Sequence, residues 1–511
     1  MSAALNLPPM QKNMIALSVM MATVMQVIDT TIANVALPHI QGSLSATQDQ
    51  ISWVLTSYIV ASAIATPPIG WLEGRFGRKK VFMVCVAGFT LASLLCGMAT
   101  SLPEIVLFRL LQGMFGSGLV PLSQSVLLDI NPKEKHGAAM ALWGIGVMIG
   151  PILGPTLGGW ITENYSWRWV FYINLPLGVL ALLGIFTFMH ESERRARPFD
   201  WFGFTTLSLG LACLQLMLDR GERVDWFSSA EIIIYAGLGV ACLWMFVVRM
   251  MQAEHPFLTL SLFKDRNLLM GLIFIFFVGI ILLATLALLP PYMQNLMGYP
   301  VIDVGLLMVP RGVGTMIAMI IVGAISNKVD PRALILLGLG LTILSLWQMA
   351  GFTTFVPGSM IAGSGFIQGL GLGFIFVPLN TISFSTLPPQ LRTEAAGLYS
   401  LMRNIGSSIG ISVVIALLTR NTQINHAYIG ESVTAARAHL AQYLMPQVLG
   451  NGQSTKALAL LDAEVNRQAA TIAYIDDFRL MMWVVMAAVP LTVLLRRPER
   501  GKKQESAPAM E

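Results

Sequence analysis

The run Leu268–Leu289, LLMGLIFIFFVGIILLATLALL, contains no charged residue and is apolar on every face of a helix. As a helix, its 22 residues would extend about 33 Å, and the hydrocarbon core of a bilayer is about 30 Å thick. A membrane-spanning strand would instead have about ten residues with alternating polar and apolar positions. The run therefore predicts a transmembrane helix.

The whole chain has this character. Of its 511 residues, 55% are hydrophobic and only 12% are charged, whereas about 25% charged is usual in a soluble domain. A soluble protein could not cover so much apolar surface, so the composition predicts an all-α polytopic membrane protein. Windows of about 19 residues place fourteen spans near residues 14–37, 52–72, 81–100, 105–127, 137–161, 169–188, 201–218, 231–248, 268–289, 303–326, 333–350, 359–383, 396–419 and 478–495.

Lysine and arginine are unequally distributed between the two sides of the membrane. If the amino terminus is cytoplasmic, the inner segments carry 21 of these residues and the short outer loops carry three, Arg168, Arg220 and Arg223. Because cytoplasmic loops are enriched in lysine and arginine, we expect both termini in the cytoplasm. The first apolar run has full span length without a cleavage site after it, so we expect it to remain as a helix. The inner clusters include Arg75, Arg78, Lys79 and Lys80, then Arg194, Arg195 and Arg197, then Arg496, Arg497, Arg500, Lys502 and Lys503.

Several classes of function are disfavoured by the sequence. The net charge of +5 comes from short clusters between apolar runs, a pattern that indicates membrane topology and not nucleic-acid binding. The four cysteines lie inside apolar runs without metal-type spacing, so we expect neither a disulfide framework nor a metal site. The chain has no GxxxxGK[ST] phosphate loop and no zincin motif. ATP-driven transport and a membrane enzyme are therefore disfavoured, and we expect no cofactor.

Glycine spacing shows an internal repeat. Three glycines of span five recur in span thirteen with an offset of 260 residues, namely Gly137, Gly146 and Gly150 as Gly397, Gly406 and Gly410. A Gln-Gly pair followed by Pro-Leu in span four, at 112–113 and 121–122, recurs in span twelve at 368–369 and 378–379. Parallel repeats of this kind are typical of transporters. We expect two six-helix halves with two inserted helices between them, and a substrate path between the halves.

The repeat defines the predicted domain boundaries. Residues 1–190 form the amino-terminal half, 191–267 the inserted helix pair with its linkers, 268–496 the carboxy-terminal half, and 497–511 a cytoplasmic tail. Residues 420–477 form a long, polar, outer-facing loop with helix-like stretches near 432–446 and 454–474. Two interpretations of this loop stay open, a solvated cap over the outer mouth and a docking surface for a partner.

The turn after span two carries a recognisable motif. Residues Gly70–Lys80, GWLEGRFGRKK, form a cationic turn whose glycines permit a sharp reversal between helices. This segment resembles the signature loop of the major facilitator superfamily, although Gly74 stands where the family has an acidic residue. The resemblance implies a conformational gate, and the alternative is a positive anchor on the cytoplasmic side. The gate residues would be Gly70, Arg75, Gly77, Arg78 and Lys79.

Three further motifs narrow the resemblance. Span four opens with Arg109–Gly113, RLLQG, which resembles the superfamily motif implicated in proton transfer. Span one contains Ile28–Pro38, IDTTIANVALP, which is similar to the first-helix motif of fourteen-helix drug:proton antiporters. Span five contains Gly146–Gly159, GVMIGPILGPTLGG, which resembles the antiporter motif of drug exporters. Its small residues allow close helix approach and its prolines remove backbone donors. The motif positions are Gly146, Gly150, Pro151, Gly154, Pro155, Gly158 and Gly159.

The combined resemblance extends over essentially the whole chain. Leu218–Ser229, LDRGERVDWFSS, also resembles the loop between the inserted helices of EmrB-like multidrug exporters. The resemblance implies the major facilitator fold and proton-coupled export of lipophilic small molecules from a bacterial inner membrane. In Gram-negative hosts it further implies a periplasmic adaptor of the EmrA type and a TolC-like outer-membrane channel. The alternatives are a symporter importing a nutrient on the same fold, and a membrane enzyme or non-transporting sensor.

Four charged residues are predicted inside the hydrocarbon, Asp29, Arg109, Arg311 and Arg403. Each would cost about 2.5–3.5 kcal/mol on insertion scales unless it is paired or hydrated, so such residues are functional candidates. We expect Asp29, with Arg109, to couple protons. Asp29 and Arg311 both lie about 12 Å below the outer surface, so these two side chains could meet. The alternative for Asp29 is a packing role, with hydrogen bonds to Thr30 or Asn34.

Substrate contacts are less distinct in the sequence. Met20, Met21 and Met25 of span one, beside Gln26, could form a deformable apolar wall suited to varied lipophilic ligands. Ordinary core or lipid-facing methionine is the alternative. The candidate cavity residues are Met25, Gln26, Gln112, Arg311 and Arg403.

Overall fold

The computed structural model describes residues 8–192, 194, 198–326, 328–432 and 455–495, and these residues form helices without any β-strand. Thirteen helices are long and apolar enough to cross a membrane, and a bent pair makes the fourteenth. In chain order, α1–α6 are Pro9–Ser43, Trp53–Phe76 (the bent pair), Arg78–Met98, Leu102–Asp129, His136–Asn164 and Trp169–Phe188. The inserted pair, α7 and α8, is Trp201–Arg220 and Ala230–Gln252. Helices α9–α14 are Arg266–Pro291, Val301–Ile325, Pro331–Met349, Gly358–Ser385, Arg392–Ser432 and Thr455–Ala488.

The bend in α2 has a local cause. Its segments Trp53–Ala65 and Ile69–Phe76 meet at 54°. Pro67 and Pro68 lie between them and lack the backbone N–H groups that would continue the helical hydrogen bonds. The second segment leads to the turn between α2 and α3. The end of the bundle that carries this turn is called here the basic end. The opposite end is called the long-loop end.

The glycine repeat is reproduced in the packing of α5 on α1 and of α13 on α9. A Cβ on Gly150 would lie 2.8 Å from the carbonyl oxygen of Val27, and a Cβ on Gly410 would lie 2.9 Å from that of Ile280. Ordinary Cβ contacts are longer, so both helix pairs need glycine to approach this closely. The two halves are therefore built on the same helix-packing plan.

The same holds for α4 on α2 and for α12 on α10. A Cβ on Gly113 would lie 2.3 Å from the carbonyl oxygen of Tyr58, and a Cβ on Gly369 would lie 1.9 Å from that of Arg311. These two contacts give each half the same internal arrangement around its first helix, α1 in one half and α9 in the other.

Helix α7 bridges the two halves toward the long-loop end. The hydroxyl of Thr56 in α2 donates to the carboxylate of Asp219. On the other side, Ser408 of α13 donates to Gln215 Oε1 at 3.0 Å, and Ser412 donates to the carbonyl oxygen of Leu218 at 2.6 Å. The inserted pair thus fills the seam between α2 and α13 through α7, while α8 packs against α7.

Helices α13 and α14 extend beyond the spans predicted at 396–419 and 478–495. Because residues 420–432 contain no proline, nothing in their sequence stops α13 before Ser432. Within the segment predicted as a loop at 420–477, residues 420–432 are therefore helical. The helix-like stretch predicted at 454–474 is confirmed from residue 455 onward, where it belongs to α14. His426 Nε2 of α13 lies 2.9 Å from Asp462 Oδ1 of α14. Of the predicted stretch 432–446, only Ser432 lies within the described residues. Arg195, Arg197, Arg496 and the predicted tail 497–511 also lie outside them.

Candidate functional site

Asp29 and Arg109 form an ion pair inside the amino-terminal half. Arg109 Nη1 lies 2.7 Å from Asp29 Oδ2, and the two side chains are 1% and 0% exposed. Arg109 Nε also donates to the carbonyl oxygen of Val54 at 3.2 Å. The two residues that the sequence marked as the proton-coupling pair are thus in direct contact, on α1 and α4.

Two amides complete the surroundings of the carboxylate. Gln112 Nε2 donates to Asp29 Oδ1 at 2.8 Å, and Asn174 Nδ2 donates to the same oxygen at 2.7 Å. Gln112 Oε1 in turn accepts from Arg109 Nη1 at 2.7 Å. Three donors therefore hold the carboxylate in place. Thr30 and Asn34, the hydrogen-bond partners expected for a packing role, are not among these donors to Asp29.

Asn174 and Ser93 also belong to this site, although no motif marks either residue in the sequence. Asn174 lies near the start of α6, where an amide stands among apolar residues, and it is fully buried. Its Nδ2 also donates to Ser93 Oγ at 2.9 Å, and Ser93 donates to the carbonyl oxygen of Phe171 at 2.9 Å. A buried polar residue in a predicted span was the only available clue.

Aromatic rings enclose the guanidinium. The Cζ atom of Arg109 lies 4.3 Å from the ring centroid of Tyr58 and 5.8 Å from that of Phe171. Rings at these distances attract a cation through their quadrupole, more strongly where water is excluded. Tyr58 and Phe171 therefore help to hold the Arg109 guanidinium in place beside Asp29.

Arg311 does not meet Asp29, contrary to our expectation. It lies on α10 in the other half, is 5% exposed, and donates from Nη2 to the carbonyl oxygen of Leu282 in α9 at 3.2 Å. Its Nη1 is buried with no hydrogen-bond partner among the described residues. Equal depth in the membrane was the basis of the expectation, but the direction of a side chain around its helix axis decides which residue it contacts.

The other cavity candidates are distributed between core and seam. Met25 is 0% exposed and lies in the hydrophobic core. This position agrees with the alternative interpretation of Met25 as an ordinary core methionine. Gln26 is half-buried, and its Oε1 has no partner among the described residues. Arg403 of α13 is half-buried, and its carbonyl oxygen lies against Gly279 of α9.

The basic end is held closed by an ion-pair chain that crosses between the halves. Arg78 Nε lies 2.5 Å from Glu73 Oε1, and Arg78 Nη1 lies 2.6 Å from Asp129 Oδ2. The other oxygen of Asp129 lies 2.5 Å from Arg392 Nη1, at the start of α13. Although Gly74 lacks the acidic side chain of the family pattern, Glu73 one residue earlier provides the carboxylate. Because Glu73 is one position away from the acidic residue of the motif, matching the motif residue by residue does not reveal its role.

Neutral contacts add to this closure. Thr393 donates to Ser125 Oγ at 2.7 Å, and Gln124 Nε2 donates to Asn380 Oδ1 at 2.6 Å. A Cβ on Gly70 would lie 3.0 Å from the Cα of Glu394, so glycine is needed where α2 crosses α13. The halves therefore adhere at the basic end through both charged and neutral groups.

The other residues that were predicted to form a gate shape the α2–α3 turn. Gly77 has a φ of +95°, which residues with a Cβ rarely adopt, and a Cβ there would also clash with Glu191. Lys79 Nζ donates to the carbonyl oxygen of Phe186 at 2.7 Å. Arg75 is exposed and lies over the ring of Trp71, with 5.6 Å between Cζ and the centroid. Arg78 thus joins the halves, whereas Lys79 ties the turn to α6.

The antiporter motif of α5 lies directly against α1, the helix that carries Asp29. A Cβ on Gly146 would meet Met20, one on Gly154 would meet Thr31, and one on Gly158 would meet Ile32. Thr31 also donates to the carbonyl oxygen of Gly150 at 3.1 Å. α5 continues without a break through Pro151 and Pro155, while Gly159 has open space beside it.

Among the described residues, no group of three or more His, Cys, Asp or Glu side chains could hold a metal ion.

Comparison with known proteins places these features in a family. The Major Facilitator Superfamily pattern matches residues 19–411. The chain is 36% identical over 492 residues to the fatty acid resistance protein FarB of Neisseria gonorrhoeae, covering 95% of this chain and 96% of that protein. It is also 36% identical over 490 residues to the multidrug export protein EmrB of Escherichia coli K12, covering 95% of each chain.

Solved structures agree with the fold. The proton:xylose symporter XylE superposes with a TM-score of 0.62 at 13% identity, covering 96% of this chain and all of that one. The human organic anion transporter MFSD10 superposes with a TM-score of 0.58 at 14% identity, covering 94% of this chain. The fourteen helices, the repeated helix packing and the sequence relatives agree, and the chain belongs to the Major Facilitator Superfamily, with sequence similarity to the multidrug export protein EmrB.

Proposed function

We propose that this protein is a proton-coupled antiporter that exports hydrophobic drugs and other toxic lipophilic compounds by alternating access. The observation that carries the proposal is the buried ion pair between Asp29 of α1 and Arg109 of α4, because α1 also packs against the antiporter motif of α5. A buried carboxylate is the group that can take up and release a proton at this depth. The names of the relatives, multidrug export and fatty acid resistance, support export over nutrient import.

The coupling follows from what surrounds Asp29. In this structure, in which the basic end is closed, three donors hold the carboxylate and Arg109 is its ion-pair partner. A proton that binds Asp29 removes its attraction to Arg109 and weakens the contact between α1 and α4. Each proton that moves inward across about 100 mV yields about 2.3 kcal/mol, which is available to drive export.

The ion-pair chain at the basic end acts as the gate in this proposal. The halves can separate there only if Asp129 releases Arg392, Thr393 releases Ser125, and Asn380 releases Gln124. Arg78 and Glu73 stay on the amino-terminal side of the seam and hold Asp129 in position. Opening at this end would expose the path between the halves to the compartment from which the substrate is taken.

The proposal includes an orientation and a setting. A bacterial inner membrane is the setting that the resemblance to EmrB-like exporters implies. The distribution of lysine and arginine supports an orientation with both termini and the basic end in the cytoplasm. The halves correspond to residues 1–190 and 268–496, with 191–267 inserted between them. In a Gram-negative host, the extended outer parts of α13 and α14 would face an EmrA-type adaptor and a TolC-like channel.

Transport in inverted vesicles tests the proposal. Vesicles with the intact protein should accumulate a fluorescent lipophilic dye when energised, and a protonophore should abolish this uptake. Asp29→Asn should abolish it at equal expression, whereas Glu163→Gln, which neutralises an exposed carboxylate at the far end of α5, should leave it unchanged. Normal pumping by Asp29→Asn would place the coupling group elsewhere, and uptake that ignores the proton gradient would refute antiport.

A further inference from the structure

The inserted pair contacts the seam between α2 and α13 at both ends of the bundle. Toward the long-loop end, α7 lies in the seam and accepts hydrogen bonds from Thr56 of α2 and Ser412 of α13. At the basic end, the connections before α7 and after α8 lie against the gate. In the other seam, α5 of one half and α10 of the other touch directly, since a Cβ on Gly323 would lie 2.8 Å from the Cβ of Ala141. The inserted pair is therefore placed to act on the α2–α13 seam.

The connection before α7 packs on the gate segment of α2. The ring centroid of Phe199 lies 4.6 Å from that of Trp71, and the two rings meet edge to face at 62°. Trp71 belongs to the segment Ile69–Phe76, which also carries Gly70 and Glu73. Aromatic pairs at this spacing attract each other beyond the burial of their area. This connection is thus attached to the amino-terminal half.

The connection after α8 is attached to α13. Thr259 donates to both oxygens of the Glu394 carboxylate, from its backbone nitrogen to Oε1 at 2.5 Å and from its hydroxyl to Oε2 at 2.9 Å. Two residues earlier, the ring centroid of Phe257 lies 5.6 Å from that of Phe199. A continuous series of contacts thus runs from Trp71 of one half, through both connections, to Glu394 of the other half. This series shares no residue with the ion-pair chain at the basic end.

We propose that the two connections form a second closure of the basic end, called here the linker latch, whose members are Phe199, Phe257 and Thr259. This inference rests on the proposed alternating access and gives the inserted pair a role in it. The halves can separate at the basic end only if the linker latch opens as well as the ion-pair chain. Because every link of a series is needed to join its two ends, loss of one member releases the whole linker latch.

The linker latch restrains the gate without touching the coupling site. The hydrogen bonds of Asp29 and Arg109 involve none of its members. The strength of the linker latch therefore sets how often the basic end opens, while the machinery that couples protons to transport stays intact.

The labelling rate of a cysteine in the seam measures this opening. Thr393→Cys introduces a thiol at a position that is 2% exposed with the basic end closed. In inverted vesicles, an impermeant maleimide reaches this thiol from the cytoplasmic side only when the basic end opens. Phe199→Ala and Thr259→Val, each added to this background, should raise the labelling rate about threefold or more, since each removes contacts that contribute about such a factor.

Two matched controls lie at the start of α7. Phe202→Ala truncates a phenylalanine that is 52% exposed, and Thr205→Val removes a hydroxyl that bonds only within α7. Both should label at the rate of the Thr393→Cys background. Rates for Phe199→Ala and Thr259→Val that equal those of the controls would overturn the inference.

Double variants distinguish the linker latch from a general loosening of the protein. Phe199→Ala and Thr259→Val act on one series, so together they should label no faster than the faster single variant. Asp129→Asn acts on the ion-pair chain, which is a parallel closure, so its effect should multiply with that of Phe199→Ala. If the effects of Phe199→Ala and Thr259→Val multiply with each other, the two residues do not act in series and the inference is wrong.

Dye uptake by the latch variants shows whether they are folded. Phe199→Ala and Thr259→Val should each keep uptake in energised inverted vesicles within about threefold of the background, because a latch restrains the gate but is not needed for transport. Loss of uptake in both variants would contradict this role.

The outcomes separate this inference from the proposed function, because labelling of Thr393→Cys requires no transport. If the latch variants label like the controls while intact protein pumps the dye with the proton gradient, the exporter stands and the linker latch is refuted. If intact protein does not respond to the gradient, the export function is refuted whatever the labelling rates.

Discussion

Asn174 donates a 2.7 Å hydrogen bond from Nδ2 to Oδ1 of Asp29, and its amide can face only this way. The reason is Ser93, whose hydroxyl proton is committed to the carbonyl oxygen of Phe171. Ser93 Oγ can therefore only accept, and the Nδ2 group of Asn174 supplies the donor for both neighbours. A backbone carbonyl at the start of α6 thus fixes the direction of a donor to the carboxylate of Asp29.

Replacing Asn174 should impair transport. In Asn174→Leu the buried carboxylate of Asp29 loses one of its three donors. Dye uptake should fall by about tenfold or more, since a hydrogen bond to a charged group contributes about 1.5–3 kcal/mol. The contact between Asp29 and Arg109 stays in place in this variant.

The matched control lies on the same helix. Thr187→Val removes a hydroxyl that bonds only within α6, at an exposed position. Its dye uptake should equal that of the intact protein. Unchanged dye uptake by Asn174→Leu at equal expression would show that transport does not depend on this hydrogen bond.

Separating the buried ion pair should cost stability that a second substitution restores. Arg109→Met leaves Asp29 without its cation, and breaking a buried pair from one side typically costs about 3–5 kcal/mol. The double variant Asp29→Asn, Arg109→Met leaves no uncompensated charge, so it should unfold in detergent at a temperature close to that of the intact protein. Neither variant should transport. A double variant as unstable as Arg109→Met alone would contradict this account.

Neutralising Asp129 should loosen the basic end. Asp129 accepts from Arg78 and Arg392, so Asp129→Asn weakens both links of the ion-pair chain. Thr393→Cys provides the reporter, because Thr393 is 2% exposed and faces Ser125 across the seam, while the native cysteines of the described chain are all buried. Labelling by an impermeant maleimide from the cytoplasmic side should rise several-fold.

A surface substitution serves as the comparison for Asp129. Glu254→Gln removes an exposed carboxylate at the same end of the bundle, in the connection between α8 and α9. The labelling rate of Thr393→Cys should not respond to it. Equal labelling with and without Asp129→Asn would mean that the neutral contacts alone keep this end closed.

Helix α7 should stay attached to α2 and part from α13 during transport. On the α2 side, Asp219 accepts from Thr56, and Arg220 lies over the ring of Trp53. Just beyond the end of α7, Arg223 donates to Ser52 at 2.6 Å. Since the halves must move against each other, the weaker side should break. A disulfide between Gln215→Cys and Ser408→Cys should therefore stop transport until it is reduced.

The companion crosslink gives the opposite expectation. A disulfide between Ser52→Cys and Arg223→Cys joins the segment just after α7 to the residue just before α2, so transport should continue. If the crosslink to α2 stops transport and the crosslink to α13 permits it, α7 moves with the carboxy-terminal half.

The sequence by itself determined the number of spans, the repeat and the family. The thickness of the hydrocarbon requires apolar runs of a certain length, and runs such as Leu268–Leu289 can satisfy their backbone groups only as helices. The glycines of α5 and α13 indicated the repeat because close helix packing depends on the absence of a Cβ, which is a property of single residues. Asp29 and Arg109 stood out because charge inside hydrocarbon is rare.

Only the tertiary structure decided which of these residues meet. Depth along a helix can be counted from the sequence, and on depth alone Arg311 was as good a partner for Asp29 as Arg109. The direction of a side chain changes by about 100° with each residue, and the choice of neighbouring helix depends on packing throughout the bundle. For the same reason Glu73 could replace an acidic residue expected at 74, Asn174 could join Asp29, and α7 could lie between the two halves.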